Sequence, residues 1–283
     1  MRINKIHKFF MDLNASLKHI QFLSGNSIKL IAVCLMLIDH FAKIVLEWYI
    51  TDILIPMESS RQISWDVIQR WDYFERFTLA PIGAAAFPLF CFMISEGFFY
   101  TRNRKKYFCL IGLFAVISEL PFDIAFFRSY SIAENTFPFY WKYQNVFFTL
   151  LLGLFALWCI EKFRCTSAEK SARLKSVFLQ ILCVGGLAFL ASVIHSDSEA
   201  FGVLLIVGFY LCRKNRVYQI LIFLFICIIT TGDQPTVSEY ASALLLLLYN
   251  GKRGKWHLKY FFYIFYPAHI FLLYLVTQLG ILS

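Results

Sequence analysis

The sequence predicts an all-α chain, a polytopic transmembrane helical bundle of about nine spans, and three observations carry that expectation. Of 283 residues, 59% are hydrophobic and only 16% charged, with 32 phenylalanines. A soluble domain runs nearer a quarter charged, and long uncharged apolar runs mark membrane spans. The mean hydropathy of +0.63 agrees. The third observation is where the cations fall.

A helical span needs about 20 apolar residues. The runs lie at 28–50, 77–100, 107–127, 146–160 and 177–194, then 201–212, 217–230, 238–249 and 260–279. Several of the later ones are short, and the pair flanking Arg213, Lys214 and Arg216 reads either as two thin helices or as a re-entrant hairpin, which would leave eight spans. With the N-terminus in the cytoplasm, 21 of the 27 cations fall in inside segments, five outside, and Lys43 within a span. That alternation follows the positive-inside rule and favours nine spans, N-terminus in and C-terminus out. The net charge of +9 is thereby spent on cytoplasmic loops and gives no reason to invoke nucleic acid.

Residues 1–26 carry Phe9, Phe10, Leu13, Leu17 and Ile20 among lysines and histidines, the pattern of a short amphipathic helix on the inner leaflet. A disordered cytoplasmic tail is the alternative. No apolar core with a small-residue cleavage site marks a secretory leader there. Residues 27–283 read as a single transmembrane domain, without internal repeats or linkers. The eight cysteines all fall away from the outer face on this topology, so no disulfide framework is expected. Metal, dinucleotide and serine-hydrolase motifs are missing from the sequence, and no metal is expected.

Charged groups at the bilayer centre cost roughly 2.5–3.5 kcal/mol and default to functional candidates. Asp39 and His40 lie midway along the first run, with Lys43 at i+4 from Asp39, placed for mutual neutralisation. Glu96 lies in the second run, Glu119 and Asp123 in the third, and His269 in the last. His195, Asp197 and Glu199 cluster at the outer end of the fifth. Pro88 and Pro267 are expected to interrupt their helices near one depth, which together with ionisable groups indicates a hydrated cavity. The structural alternatives are an Asp39–Lys43 ion pair, Glu96 as an interfacial cap, and His269 as a packing residue.

The strings SIKLIAVCLMLIDHFAKI, AFPLFCFMISEGFFYTRNRKKY, AVISELPFDIAFF, NVFFTLLLGL and YNGKRGKWHLKYFFYIFYPAHIFLLYL together resemble the TraX family. These are integral membrane proteins associated in conjugation systems with N-terminal acetylation of pilin. The resemblance runs in order from about Ser27 to Tyr274 and also carries Asn145, Asn250, Gly251, Gly254 and Tyr266. The chain departs from the family at one place: Ile82-Gly83-Ala84-Ala85-Ala86-Phe87-Pro88 stands where the family usually shows Gly-Arg-x-Ala-Phe-Pro.

The resemblance implies a membrane-bound acetyltransferase of the bacterial cytoplasmic membrane, moving acetyl from cytosolic acetyl-CoA to an amine or hydroxyl. Candidate acceptors are a peptide N-terminus, a lipid or a sugar; the bilayer and a homodimer mate are the other candidate partners. His40, Asp39, Glu119 and His269 are the catalytic candidates, with His40 as general base near neutral pH. Successive helical residues project about 100° apart, so Glu119, or another carboxylate from a neighbouring span, is a better orienter of His40 than Asp39. Arg102, Arg104, Lys105, Arg253, Lys255 and Tyr266 are candidates for holding the donor, because clustered cations favour phosphate. Asp123, Glu96 and Asn145 are candidates for substrate binding. The competing reading is a proton-coupled transporter, or a non-catalytic membrane subunit, using the same polar midplane.

Overall fold

The computed structural model describes residues 2–128, 139–256 and 259–279, and about 80% of the chain is helical. No strand occurs among the described residues, only isolated bridges at Leu23–Tyr249 and Gln144–Ser196. Each of the nine apolar runs lies on helix. In chain order the helices are α1 (Arg2–Ser16), α2 (Gly25–His40), α3 (Ile55–Ser59), α4 (Trp65–Phe74), α5 (Ala80–Ala84), α6 (Ala86–Tyr100) and α7 (Arg104–Phe127). They continue with α8 (Val146–Lys162), α9 (Lys170–Val193), α10 (Glu199–Leu211), α11 (Arg216–Thr231), α12 (Val237–Leu247) and α13 (Lys259–Gln278).

Two helical courses are longer than a bilayer needs. Residues 25–59 run without a break through α2, two π-helical stretches (Phe41–Leu46 and Tyr49–Leu54) and α3. At 1.5 Å per residue that is about 50 Å, against a hydrocarbon core of about 30 Å. The return course, Trp65–Tyr100, is similar in length and includes a third π-helical stretch at Glu75–Leu79. The four described helices that meet both length and hydropathy for crossing a membrane are this course, α7, α9 and the span Tyr260–Gln278. The chain is a membrane protein.

The short helix α10 sits at the centre. It packs on α6, α8, α9 and α11, and Val203, Leu205, Ile206 and Phe209 are fully buried. Its contact with α8 is close enough that a Cβ on Gly153 would lie 2.4 Å from Ile206 Cδ1, so a larger residue there would force the isoleucine to shift. Such small-residue contacts are how helices associate where lipid removes the hydrophobic drive between them. By contrast, α9 turns Leu174, Phe178, Ile181, Leu182 and Phe189 outward, as expected of a face that meets lipid tails.

One sequence expectation holds and one needs correcting. The break between α5 and α6 falls at Ala85, one turn before Pro88, whose missing N–H would have bonded the carbonyl of Ala84. Pro267 stands inside a helix that continues through it. The segment ahead of the first span is helical. It is docked on α11, where Asn215 Nδ2 donates to Phe10 O (3.2 Å) and the Arg216 amide donates to Asn14 Oδ1 (2.9 Å).

Candidate functional site

The site begins where α2 ends. Asp39 and His40 occupy its last turn, and the chain then widens into the π-helical stretch Phe41–Leu46. Widened turns of this kind gather at functional sites. Asp39 and His40 are both buried. Helix α13, packed beside α7 and α2, brings His269 to His40: His40 Nδ1 lies 2.7 Å from His269 Nε2, with ring planes within 4° of parallel. His269 Nδ1 in turn lies 2.7 Å from Phe265 O.

These contacts fix the protons. A carbonyl oxygen only accepts, so His269 Nδ1 carries the hydrogen and its Nε2 is a bare lone pair. His40 Nδ1–H therefore donates to His269, leaving the lone pair of a neutral His40 on Nε2. That nitrogen lies 3.8 Å from Asp39 Oδ2. Asp39 Oδ2 accepts from Lys43 Nζ at 2.8 Å. The hydrogen-bond partner of His40 is thus His269. Glu119, expected from the sequence to orient it, accepts instead from the Asn145 amide and side-chain Nδ2.

The other candidates fasten the chain. Asn145 is fully buried and is the N-cap of α8, accepting from Phe147 N at 3.0 Å and donating to Ala115 O at 2.8 Å. Asp123 accepts from Tyr140 N at 2.7 Å. The loop between α9 and α10 brings Asp197 close to the Asp39–Lys43 pair. Its burial pushes the carboxyl above the usual carboxylate range; Lys43 opposes that rise and Asp39 adds to it.

The departure at residues 82–88 acquires a physical meaning here. Gly83 of α5 lies flat against α2: a Cβ there would sit 2.5 Å from Asp39 Cβ and 2.6 Å from its Cα. The cation beside Asp39 is Lys43, from the same helix.

A cavity of about 750 Å³ lies on the other side of this cluster. That is within the range of small-molecule pockets. Its basic end holds Lys29, Arg102 and Arg253 with Trp256; its far end is walled by Met36, Phe147 and Tyr266. The ring of Tyr266 meets both imidazoles edge-on, with centroids 5.8 Å from His40 and 5.8 Å from His269. The Tyr266 hydroxyl is buried beside the Val146 amide, and none of the described residues accepts its hydrogen. Glu96 lines the cavity partway along and accepts from Tyr249 OH at 3.3 Å. Behind Tyr249, the Arg216 guanidinium rests on the rings of Phe92 and Tyr249, 4.8 Å from each centroid.

The basic end is built by a clamp. The amides of Gly25 and Asn26, which start α2, donate to Lys252 O (2.7 Å) and Arg253 O (3.0 Å), so the loop satisfies amides that a helix start leaves open. Gly254, at φ +88°, lies against Asn26 with no room for a Cβ. Of the donor-holding candidates, Arg102, Arg253 and Tyr266 line the cavity. Lys105 and Lys255 do not, and Arg104 stacks on Phe98 at 4.4 Å. Sequence reasoning missed Lys29, counted there only as a topological cation, and Trp256, whose sole signal was its place directly after the basic loop.

A family model described as TraX protein matches residues 24–277. A probable fimbrial assembly protein FimC, serogroup H1, from Dichelobacter nodosus is 30% identical over 209 residues, which cover 68% of this chain and 80% of that protein. No solved structure matches the chain. The family match covers most of the chain, including every residue of the histidine cluster and of the cavity, and the chain belongs to the TraX family.

Proposed function

We propose that the chain is a multi-pass acyltransferase of the bacterial cytoplasmic membrane, passing acetyl from cytosolic acetyl-CoA to an amine or hydroxyl of a pilus-related or other envelope acceptor. One observation carries the reading: a single cavity runs from a cluster of cations to the tyrosine that abuts the paired histidines. The positive-inside distribution sets Lys29, Arg102 and Arg253 on the cytosolic side, with nine spans and an outer C-terminus. The similarity to a fimbrial assembly protein supports a pilus-related acceptor.

The residues fit such a donor. Cations at the mouth suit phosphate oxygens, the inner wall is largely aromatic and aliphatic, and a hydroxyl with its hydrogen free waits at the far end. The donor supplies an activated thioester carbonyl. Tyr266 donates its free O–H to the carbonyl oxygen as negative charge develops there, the role of an oxyanion-hole donor. His40 takes the acceptor's proton on Nε2, the one lone pair its bond to His269 leaves free. His269, locked by Phe265 O, holds His40 in that tautomer. Asp39 stabilises the resulting imidazolium from 3.8 Å, and Lys43, 2.8 Å from its carboxylate, holds Asp39 in place. His40 then returns the proton to the leaving sulfur.

The test uses the purified protein in lipid nanodiscs with radiolabelled acetyl-CoA and a panel of peptide, lipid and sugar acceptors. Labelled acetyl is expected on at least one acceptor, and acetyl-CoA is expected to raise the melting temperature. His40→Ala should lower transfer by about 10²–10⁴-fold, the usual worth of a positioned base. Full transfer by that variant would remove His40, and no transfer together with no melting shift at millimolar acetyl-CoA would sink the reading.

A further inference from the structure

We propose that the cavity mouth is a nucleotide subsite in which Trp256 is the stacking platform for a purine base and Arg102 and Arg253 hold its phosphates. The inference rests on the acetyl-CoA reading and assigns the end of the donor remote from the chemistry.

Trp256 lines the cavity yet leaves 61% of its surface exposed, and Tyr100, also lining it, leaves 66%. Two large aromatic faces that the protein leaves uncovered at a cavity mouth gain from a ligand that buries them. Trp256 is also fixed in place: its carbonyl accepts from Asn26 Nδ2 at 2.9 Å, and the preceding loop is clamped to the start of α2. Arg253 stands three positions before Trp256, and Arg102 two after Tyr100. Aromatic faces beside cations are the arrangement that takes bases by stacking and phosphates by charge-assisted hydrogen bonds.

The polarity changes further in. Glu96 lies one turn before Tyr100 on α6, about 6 Å deeper along the helix axis. Glu96 lines the cavity where phosphate oxygens would have to pass, and its carboxylate repels them. A polyphosphate therefore halts at the cations, and only an uncharged arm continues past Glu96 towards Tyr266. The mouth reads the nucleotide and the interior reads the arm. A membrane-anchoring role for Trp256 is the competing account, since tryptophans gather at bilayer surfaces.

The experiment compares two donors on the full-length protein in nanodiscs: acetyl-CoA, and S-acetylpantetheine, which lacks the nucleotide. In Trp256→Ala, the KM for acetyl-CoA should rise about tenfold more than the KM for S-acetylpantetheine, within the range that one stacked base is worth. Trp256→Phe, which keeps a stacking face, should restore most of the difference. An equal change for both donors, or none, overturns the proposal and favours a membrane anchor. If the wild type uses neither donor, the acyl-transfer reading fails, and adenosine 3′,5′-bisphosphate binding decides the subsite alone. Binding that weakens about tenfold in Trp256→Ala supports it; no binding by the wild type overturns it.

Discussion

His40 Nδ1 donates to His269 Nε2 across 2.7 Å, joining α2 to α13 at residues 229 positions apart. The contact makes His269 a positioning residue: it selects which nitrogen of His40 is bare. A glutamine at 269 offers an amide oxygen to accept the same hydrogen, whereas leucine offers nothing. His269→Leu should therefore lower kcat by about 10²-fold or more, and His269→Gln should recover much of it with the pH profile kept. Equal losses in both variants would mean that His269 itself exchanges protons with substrate.

The helical class and the place of each apolar run were legible in the sequence, because lipid demands long apolar runs and leaves little room for other patterns. The two buried histidines stood out in the sequence because an ionisable group within an apolar run is costly. Their pairing was not legible, since it depends on the packing of α13 against α2, and neither residue carries a local signal of the other. The sequence chose Glu119 as the orienter because Asp39 projects about 100° away from its neighbour His40, but the Glu119 carboxylate is engaged by Asn145. Trp256 and Lys29 were invisible as site residues, because an aromatic or a cation beside a basic loop looks the same whether it faces a cavity or water.

Gly83 should be the position least tolerant of a methyl group. The atoms its Cβ would strike belong to the Asp39 backbone and its Cβ, at 2.5–2.8 Å, and none is the flexible end of a side chain. Gly83→Ala must push α5 away from α2 and carry Asp39 and His40 with it. Overpacking of this kind costs about 1–3 kcal/mol, and a displacement of 1 Å at a reacting group can cost about 10²-fold in rate. A lowered melting temperature with a large loss of transfer is expected. Wild-type behaviour in both would contradict the close approach of the two helices.

Asp197 makes a prediction about pH. Its carboxyl is raised by burial in the α9–α10 loop, outside the spans, so the folded protein holds this proton more tightly than the unfolded chain does. Between the unfolded value and the raised folded value, stability falls as pH rises; below both, the group contributes nothing. Asp197→Asn removes a charge that folding desolvates. It should raise the melting temperature at pH 7 relative to wild type, and the difference should shrink as pH falls towards the ordinary carboxylate range. A lower melting temperature in Asp197→Asn at pH 7, with the deficit shrinking on acidification, would show that Asp197 is stabilised by its neighbours, with Lys43 dominating over burial.

Asn145 separates a supporting residue from a substrate-binding one. Its side chain caps α8, reaches Ala115 O on α7 and meets Glu119, so one buried amide ties two helices together. Asn145→Ala removes the cap and leaves Glu119 and a carbonyl without that donor, at about 1–3 kcal/mol for unsatisfied groups in addition to about 1 kcal/mol for the cap. Asn145→Asp keeps the capping oxygen but places a second carboxyl against Glu119, so it should be no better than alanine at pH 7 and improve on acidification. Asn145→Ser keeps a short capping oxygen without the charge and should fall between wild type and alanine. Melting temperatures of the three variants in nanodiscs measure this order. A residue that binds acceptor would give a different result: unchanged melting in Asn145→Ala with a raised KM for the acceptor alone.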